Sequence, residues 1–172
     1  VVVAGLWNRT RSRADELAAD LDLSDLRVYE DWRDLIEGGQ VDVISIATSP
    51  VLRLEPFAAA LARGLHVLVE KPLSLGLREA QAMASLARKA HTVTAICFNW
   101  RYSPGCQTCW RAIREGQIGR LMDTHTEWRM RASPLMRTWS QAGGTLREAG
   151  SHEFDRVRFL TGWEFQRLVS SL

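Results

Sequence analysis

Residues 41–72, VDVISIATSPVLRLEPFAAALARGLHVLVEKP, have the clearest structural pattern in the sequence. It contains two short apolar runs rich in Val, Ile and Leu, residues 41–47 and 66–69. A helical segment over 52–63 separates them, and Gly64 stands where a helix C-cap is expected. Strand, helix and strand joined by short connections are typical of a parallel βαβ unit.

The same alternation extends along the chain in both directions. Further strands are predicted over 1–7, 26–29 and 92–98, and further helices over 10–23, 31–37 and 77–90. Within the first of these helices, Ser12 and Asp15 have the spacing of a capping box. This pattern predicts a parallel sheet with helices on both faces, and such sheets bind ligands at the carboxyl ends of their strands.

A dinucleotide-binding sheet begins with a strand, a G-x-G-x-x-G turn and a helix, and the sequence contains no such turn. Gly5 stands alone inside the first predicted strand. Either the sheet does not bind a nucleotide, or its first unit lies upstream of Val1.

The pattern changes after about residue 101. The remaining segments are predicted as a helix over 104–115, a strand over 121–130, a loop over 133–144 and a helix over 145–160. We therefore predict two domains, residues 1–101 and 102–172, of which the second is α+β.

Composition excludes several classes of protein. Of 172 residues, 46% are hydrophobic and 24% are charged, which is typical of a globular chain and unlike a disordered or fibrous one. Lys plus Arg is 22 and Asp plus Glu is 20, a net charge of +2, and the two signs are interspersed. Nucleic-acid binding is therefore not expected. Neither is a membrane span, because no run approaches 18 apolar residues.

The cysteines predict no disulfide framework. Cys106 and Cys109 form one CxxC pair within a helical segment, and Cys97 is separate. We interpret the pair as structural, with zinc or redox chemistry as the alternative, and expect no metal. An odd thiol count fits a reducing cytoplasm, the expected location. An export signal upstream of Val1 would fall outside the sequence.

Six blocks, in order, resemble the Gfo/Idh/MocA family of oxidoreductases, the relatives of glucose–fructose oxidoreductase and inositol 2-dehydrogenase. They are VDVISIATSP (41–50), ALARGLHV (60–67), HVLVEKPLSLGLREAQAM (66–83), FNWRYSP (98–104), IREGQIGRLMD (113–123) and GGTLREAGSHEFDRVRFLTG (143–162). The resemblance implies a Rossmann-type doubly wound α/β sheet with its first strand missing, followed by the start of an α+β domain. By this match the chain is a fragment that lacks the Gly-rich turn and most of the C-terminal domain.

The resemblance also implies an activity, the transfer of a hydride between NAD(P) and a sugar, polyol or related hydroxy compound. Lys71 corresponds to the family lysine that contacts the substrate oxygen and the nicotinamide end of the cofactor. A fixed cation there lowers the cost of alkoxide character during hydride transfer. His152 corresponds to the base that removes the hydroxyl proton. Glu148 stands where the family usually has Asp, and four-residue spacing predicts that it shares a helix face with His152.

Residues that follow the predicted strands are the candidates for cofactor binding, and they are Asn8, Arg9, Thr10, Ala47, Thr48, Ser49, Glu70 and Lys71. An acidic residue at the position of Asn8 would bind the 2′-hydroxyl of NAD. The sequence Asn8-Arg9-Thr10 instead suits the 2′-phosphate of NADP, so NADP is favoured over NAD.

Two residues of the second domain are candidates for substrate binding, Arg101 and Asp155, although Asp155 could equally cap or solvate its helix. Trp139 resembles a family aromatic near the active site. Arg53 is a departure, because many family members have His there.

Functions other than that of an active enzyme remain open. The departures at Arg53 and Glu148 leave open a non-catalytic NAD(P)-binding sensor or regulator on the same scaffold, or an inactive truncated relic. For the full-length form, the resemblance implies a homo-oligomer with a small sugar or polyol as substrate.

Overall fold

A computed structural model describes residues 1–23, 26–127, 129 and 144–169. The chain divides into two compact units, residues 1–96 and 97–172. In the described part of the chain, no helix is both long and apolar enough to cross a membrane.

The first unit alternates short parallel strands with helices. Its strands are β1 (Gly5–Leu6), β2 (Arg27–Val28), β3 (Val43–Ile46) and β4 (His66–Glu70), and β5 (Thr94–Cys97) ends at the boundary with the second unit. Its helices are α1 (Arg11–Asp20), α2 (Trp32–Gly38), α3 (Leu54–Ala62) and α4 (Leu77–Lys89), with a 3₁₀ turn over Pro50–Leu52. Each predicted strand and helix of this unit is present, with shorter bounds at most ends.

The strands form two sheets, with β1 beside β2 in one and the order β3-β4-β5 in the other. Both β1 with β2 and β3 with β4 are parallel, and Val43 pairs with His66. In the doubly wound order 3-2-1-4-5-6, the first strand lies between the two halves of the sheet. The observed pairing matches that order with its first strand left out.

Strands β3 and β4 bury alternate residues. Ile44 and Ile46 of β3 are buried, as are Val67 and Val69 of β4, whereas Leu68 is exposed. Among the described residues, Val43 of β3 is exposed on the same side as Leu68 of β4. Helix α3 packs on β3 and β4, and the core that these strands share with the helices lies on one face only.

The buried core of the first unit contains residues of β3, of β4 and of three helices. Its helical members are Ile36 of α2, Phe57 and Ala60 of α3, and Met83 of α4. The helical spacing in the sequence places these apolar residues toward the sheet, and their burial fixes the ends of β3 and β4 relative to α3.

The start of α1 differs from the prediction. Thr10 is the N-cap residue, and its amide donates a hydrogen bond to Asn8 Oδ1 at 2.9 Å. The expected capping box of Ser12 and Asp15 is not formed, because α1 begins at Arg11 and places Ser12 inside the helix. The Asp15 carboxylate instead accepts a hydrogen bond from Arg11 Nε at 2.9 Å.

The second unit is helical in its described part. A 3₁₀ turn over Asn99–Tyr102 leads into α5 (Pro104–Arg114), and α6 (Gly144–Glu148) and α7 (Gly150–Thr161) follow. Helix α5 packs on α7, where the rings of Trp110 and Phe159 stack with centroids 5.9 Å apart.

Two predictions for this unit are wrong. Residues 121–127 form no strand, and the helix predicted over 145–160 is divided at Ala149. Residues 122–127 are exposed, so the described part of this segment has no buried face with which a strand could pack. The predicted loop lies outside the described residues apart from Gly144, which begins α6.

We predict that Met83→Ala destabilises the protein by about 2–5 kcal/mol, because Met83 is 0% exposed within the core and its truncation leaves a cavity. The matched control on the same helix is Leu77→Ala, since Leu77 is 75% exposed. Its effect should stay within about 0.5 kcal/mol. Urea denaturation measures both, and equal effects would contradict this description of the core.

Candidate active site

The carboxyl ends of β3 and β4 meet at one edge of the three-stranded sheet, because these strands are parallel neighbours. Thr48 and Ser49 follow β3, and Glu70 is the last residue of β4. Lys71 comes next, joined to Pro72 by a cis peptide bond. The candidates Thr48, Ser49, Glu70 and Lys71 therefore lie on the edge where an α/β sheet binds its ligand.

The Arg53 guanidinium lies between these two strand ends. Arg53 is only 4% exposed, and its Nε donates a hydrogen bond to the Thr48 carbonyl at 2.8 Å. Its Nη1 donates to the carbonyls of Glu70 and Pro72. One planar group thus holds the segments on which the candidate residues stand.

The sheet edge has polar groups that can form hydrogen bonds with a ligand. Thr48 Oγ1 is buried and has no hydrogen-bond partner among the described residues, while Ala47 and Ser49 beside it are exposed. A buried hydroxyl without a partner is unfavourable, and it can both donate and accept. Together with the open backbone at 47 and 49, this hydroxyl gives the edge both hydrogen-bond donors and acceptors for a ligand, as a dinucleotide requires.

The segment after β1 carries several cations. Asn8, Arg9 and Thr10 are all exposed. The Arg11 guanidinium is bound by the carboxylates of Asp15 and Glu30. Of the two arginines next to Thr10, Arg9 is therefore the better candidate to bind an anionic ligand.

The choice of cation at position 71 is distinctive within this sequence. Lys occurs only at positions 71 and 89, and every other basic residue apart from His is Arg. An ammonium is a compact charge that can give up a proton, whereas a guanidinium stays protonated. Lys71 is half-buried at the sheet edge, and Lys89 is exposed at the end of α4.

In the second unit, His152 is 5% exposed and packs against aromatic rings. The Trp100 ring stacks on it with centroids 4.2 Å apart and an interplanar angle of 7°. Phe98 meets it edge-on at 6.1 Å. These contacts fix the plane of the imidazole, a requirement for a group that moves a proton along a defined direction.

The two predicted substrate-binding residues contact each other. Arg101 Nε donates to Asp155 Oδ2 at 2.7 Å, and its Nη2 donates to Oδ1. Hydrogen bonding to the carboxylate raises the pKa of Arg101. Asp155 is 5% exposed, so this bidentate pair ties the 3₁₀ turn that holds Trp100 to helix α7. Their binding of substrate stays a prediction.

Glu148 and His152 do not lie on one continuous helix, so that premise for their pairing is wrong. Glu148 ends α6, and Ala149 separates it from α7. The amide of His152 donates to the Ala149 carbonyl at 3.0 Å, a three-residue spacing that belongs to a new helical start.

The two cysteines of the CxxC pair lie in different environments. Cys106 is buried on α5, which raises the pKa of its thiol, whereas Cys109 is exposed. Within the described ranges, no cluster of three or more His, Cys, Asp or Glu side chains is arranged to hold a metal.

Two contacts were not anticipated from the sequence. The hydrogen bonds of Arg53 were missed, although its departure from the family pattern had marked the position. The stacking of Trp100 on His152 was also missed, and its only signal was an aromatic residue directly after the last strand. Trp139 lies outside the described residues.

Comparisons with known proteins agree with this architecture. Residues 1–98 match the model of the oxidoreductase family with an NAD-binding Rossmann fold, and residues 106–172 match the GFO/IDH/MocA C-terminal domain. The chain therefore belongs to the GFO/IDH/MocA oxidoreductase family.

Individual relatives point the same way. The chain is similar to the rhizopine catabolism protein MocA of Rhizobium meliloti, 34% identical over 88% of this chain and 49% of that protein. It is similar to a probable dehydrogenase from Thermotoga maritima, with a TM-score of 0.82 and 25% identity over 95% of this chain and 49% of the other. It also resembles levoglucosan dehydrogenase in complex with NADH and levoglucosan, with a TM-score of 0.77 and 29% identity over 94% and 46% of the two chains. The chain spans about half the length of these relatives.

We predict that Asp155→Asn destabilises the full-length protein by about 1–3 kcal/mol, because it weakens a charge-assisted bidentate pair in which the carboxylate is buried. Arg158→Met is the control, since its partner Glu164 is exposed and such pairs contribute about 1 kcal/mol or less. Denaturation midpoints measure the difference, and an equal or larger effect of Arg158→Met would refute this assignment.

Proposed function

We propose that the chain carries the cofactor-binding and catalytic part of an NAD(P)-dependent oxidoreductase that acts on a sugar, polyol or related hydroxy compound. The observation that carries the proposal is Lys71, the half-buried ammonium at the joint edge of β3 and β4 in a chain of this family. A bound nicotinamide would supply hydride exchange with the carbinol carbon. The chain's own residues bind and orient the cofactor and the substrate, and they move the proton.

Lys71 is proposed to hold the substrate oxygen. Its ammonium stabilises negative charge as the hydroxyl loses its proton and the carbon–oxygen bond gains double-bond character. Because Glu70 and Pro72 are both anchored through their carbonyls to Arg53, the backbone that carries Lys71 is fixed before substrate binds. Such preorganisation avoids reorienting the cation during the reaction.

His152 is proposed to take the hydroxyl proton in the oxidation direction and to return it in reduction. The rings of Trp100 and Phe98 support this role because they fix the imidazole plane. Glu148 is proposed to orient His152 or the substrate from the end of α6. Arg101 and Asp155 are proposed to bind substrate hydroxyls, and their mutual pairing limits how far either can reach.

NADP is proposed as the preferred cofactor. The support is the exposed Arg9 beside Asn8 and Thr10, where a carboxylate would select NAD. Ala47, Thr48, Ser49 and Glu70 are proposed to line the nicotinamide end. Assembly into a homo-oligomer and a cytoplasmic location stay predictions.

We predict that Lys71→Met lowers kcat of the full-length protein by about 10²–10³-fold on its best substrate, as loss of one preorganised donor to a developing oxyanion does. Lys89→Met is the matched control and should leave kcat unchanged. The rates are measured with NADPH and NADH on a panel of sugars, inositols and their ketones. Cofactor binding without turnover on any panel member would instead favour the non-catalytic sensor or regulator.

We predict that Arg9→Glu raises the Kd for NADPH by about tenfold or more, because it removes a charge-assisted contact to the 2′-phosphate. The Kd for NADH should change much less. Arg13→Glu alters the net charge equally from an exposed position on α1 and serves as the control. Fluorescence titration measures all three proteins, and tighter binding of NADH than NADPH by the wild type would contradict the NADP assignment.

A further inference from the structure

The contacts of Arg53 form a closed arrangement around Lys71. The residue before Lys71 and the residue after it both present a carbonyl to Nη1 of the same guanidinium. The Lys71 amide between them donates to a Glu70 carboxylate oxygen at 3.1 Å. The backbone on both sides of the ammonium is therefore attached to one rigid, buried group.

That group is itself anchored outside the Lys71 segment. Arg53 Nε donates to the Thr48 carbonyl after β3, and the Arg53 carbonyl accepts from Phe57 in the first turn of α3 at 3.0 Å. Phe57 is a buried core residue. The position of Lys71 is thus fixed relative to the end of β3 and to the packed start of α3.

We propose that Arg53 is a positioning residue that holds Lys71 in register with the segment after β3. The inference rests on the proposed function of Lys71 and deepens it. Burial of a guanidinium is unfavourable unless its N–H groups have hydrogen-bond acceptors. The three carbonyls that accept from Arg53 stabilise it, and the same hydrogen bonds restrict where those carbonyls lie.

The planar guanidinium suits this task better than the other basic side chains. It directs several N–H groups in fixed directions within one plane, and three carbonyls accept from it here. An imidazole offers at most two N–H donors, and an ammonium lacks the planar geometry. A His at this position would therefore leave at least one of the three carbonyls without its donor.

The first test is hydrogen exchange in the full-length protein, which needs no activity. Arg53→Met keeps most of the side-chain volume and removes the donors. We expect faster amide exchange in the peptides that cover residues 47–49 and 70–74. Arg63→Met is the matched control, because Arg63 contacts Glu37 from the other end of α3. It should leave both peptides unchanged. Unchanged exchange in Arg53→Met would overturn the proposal.

The second test asks whether Arg53 acts through Lys71. We expect Arg53→Met to lower kcat by about 10–100-fold, the loss that a displacement of about 1 Å can cause, with a smaller change in KM. In a Lys71→Met background the same substitution should lower kcat less than threefold. An equal loss in both backgrounds would show that Arg53 acts independently of Lys71 and would overturn the proposal.

Two further variants keep the test decisive. Arg53→Lys retains the charge and should recover part of kcat, which covers the case in which Arg53→Met does not fold. Arg53→His should have a lower kcat than wild type, because an imidazole leaves at least one of the three carbonyls without its donor. Across these variants, slower exchange over 70–74 should accompany higher kcat. A ranking of kcat unrelated to exchange would count against the proposal. Absence of turnover in the wild type would refute the proposed function alone, since the exchange experiment still decides the role of Arg53.

Discussion

The buried Arg53 guanidinium is the constraint on which the candidate site in the first unit depends. It stands where the Pro50–Leu52 turn meets α3, and it reaches the carbonyls that follow β3 and end β4. Parallel pairing brings these strand ends to one edge, but pairing alone leaves the segments beyond them free to move. The guanidinium removes that freedom at the point where Lys71 stands.

The core explains why this constraint can hold. Helix α3 buries Phe57 and Ala60 against alternate residues of β3 and β4, so the helix that begins at Arg53 is packed on both strands whose ends Arg53 joins. Side-chain packing sets the strand positions, and hydrogen bonds to carbonyls then set the segments after them. In the second unit, stacked aromatic rings and the Arg101–Asp155 pair instead order the surroundings of His152.

Much of the first unit could be predicted from the sequence because hydrophobic periodicity and Gly or Pro boundaries act locally. The approximate ends of β3 and β4, and hence the place of Lys71, followed from that pattern. Burial on one face of β3 and β4 could not be predicted, because an apolar run does not record what covers each face. The same limit applies to residues 121–127, whose alternation suggested a strand that has no partner among the described residues.

Contacts between distant residues were beyond the reach of local reasoning. Arg53 and Glu70 are far apart in sequence, and Arg101 and Asp155 are farther, so only the fold reveals that they meet. The helix break at Ala149 also escaped prediction, although the neighbouring Gly150 disfavours a helix interior. Family resemblance identified the candidate residues, and the structure adds the contacts that several of them make.

Hydrogen exchange of the full-length protein with and without saturating NADPH tests whether this sheet edge binds the cofactor. If the sheet edge at β3 and β4 binds the nicotinamide end of the cofactor, amides over 47–52 and 70–74 become protected while those of the exposed end of α4 do not change. Binding of NADPH with no protection in these two segments would contradict the account.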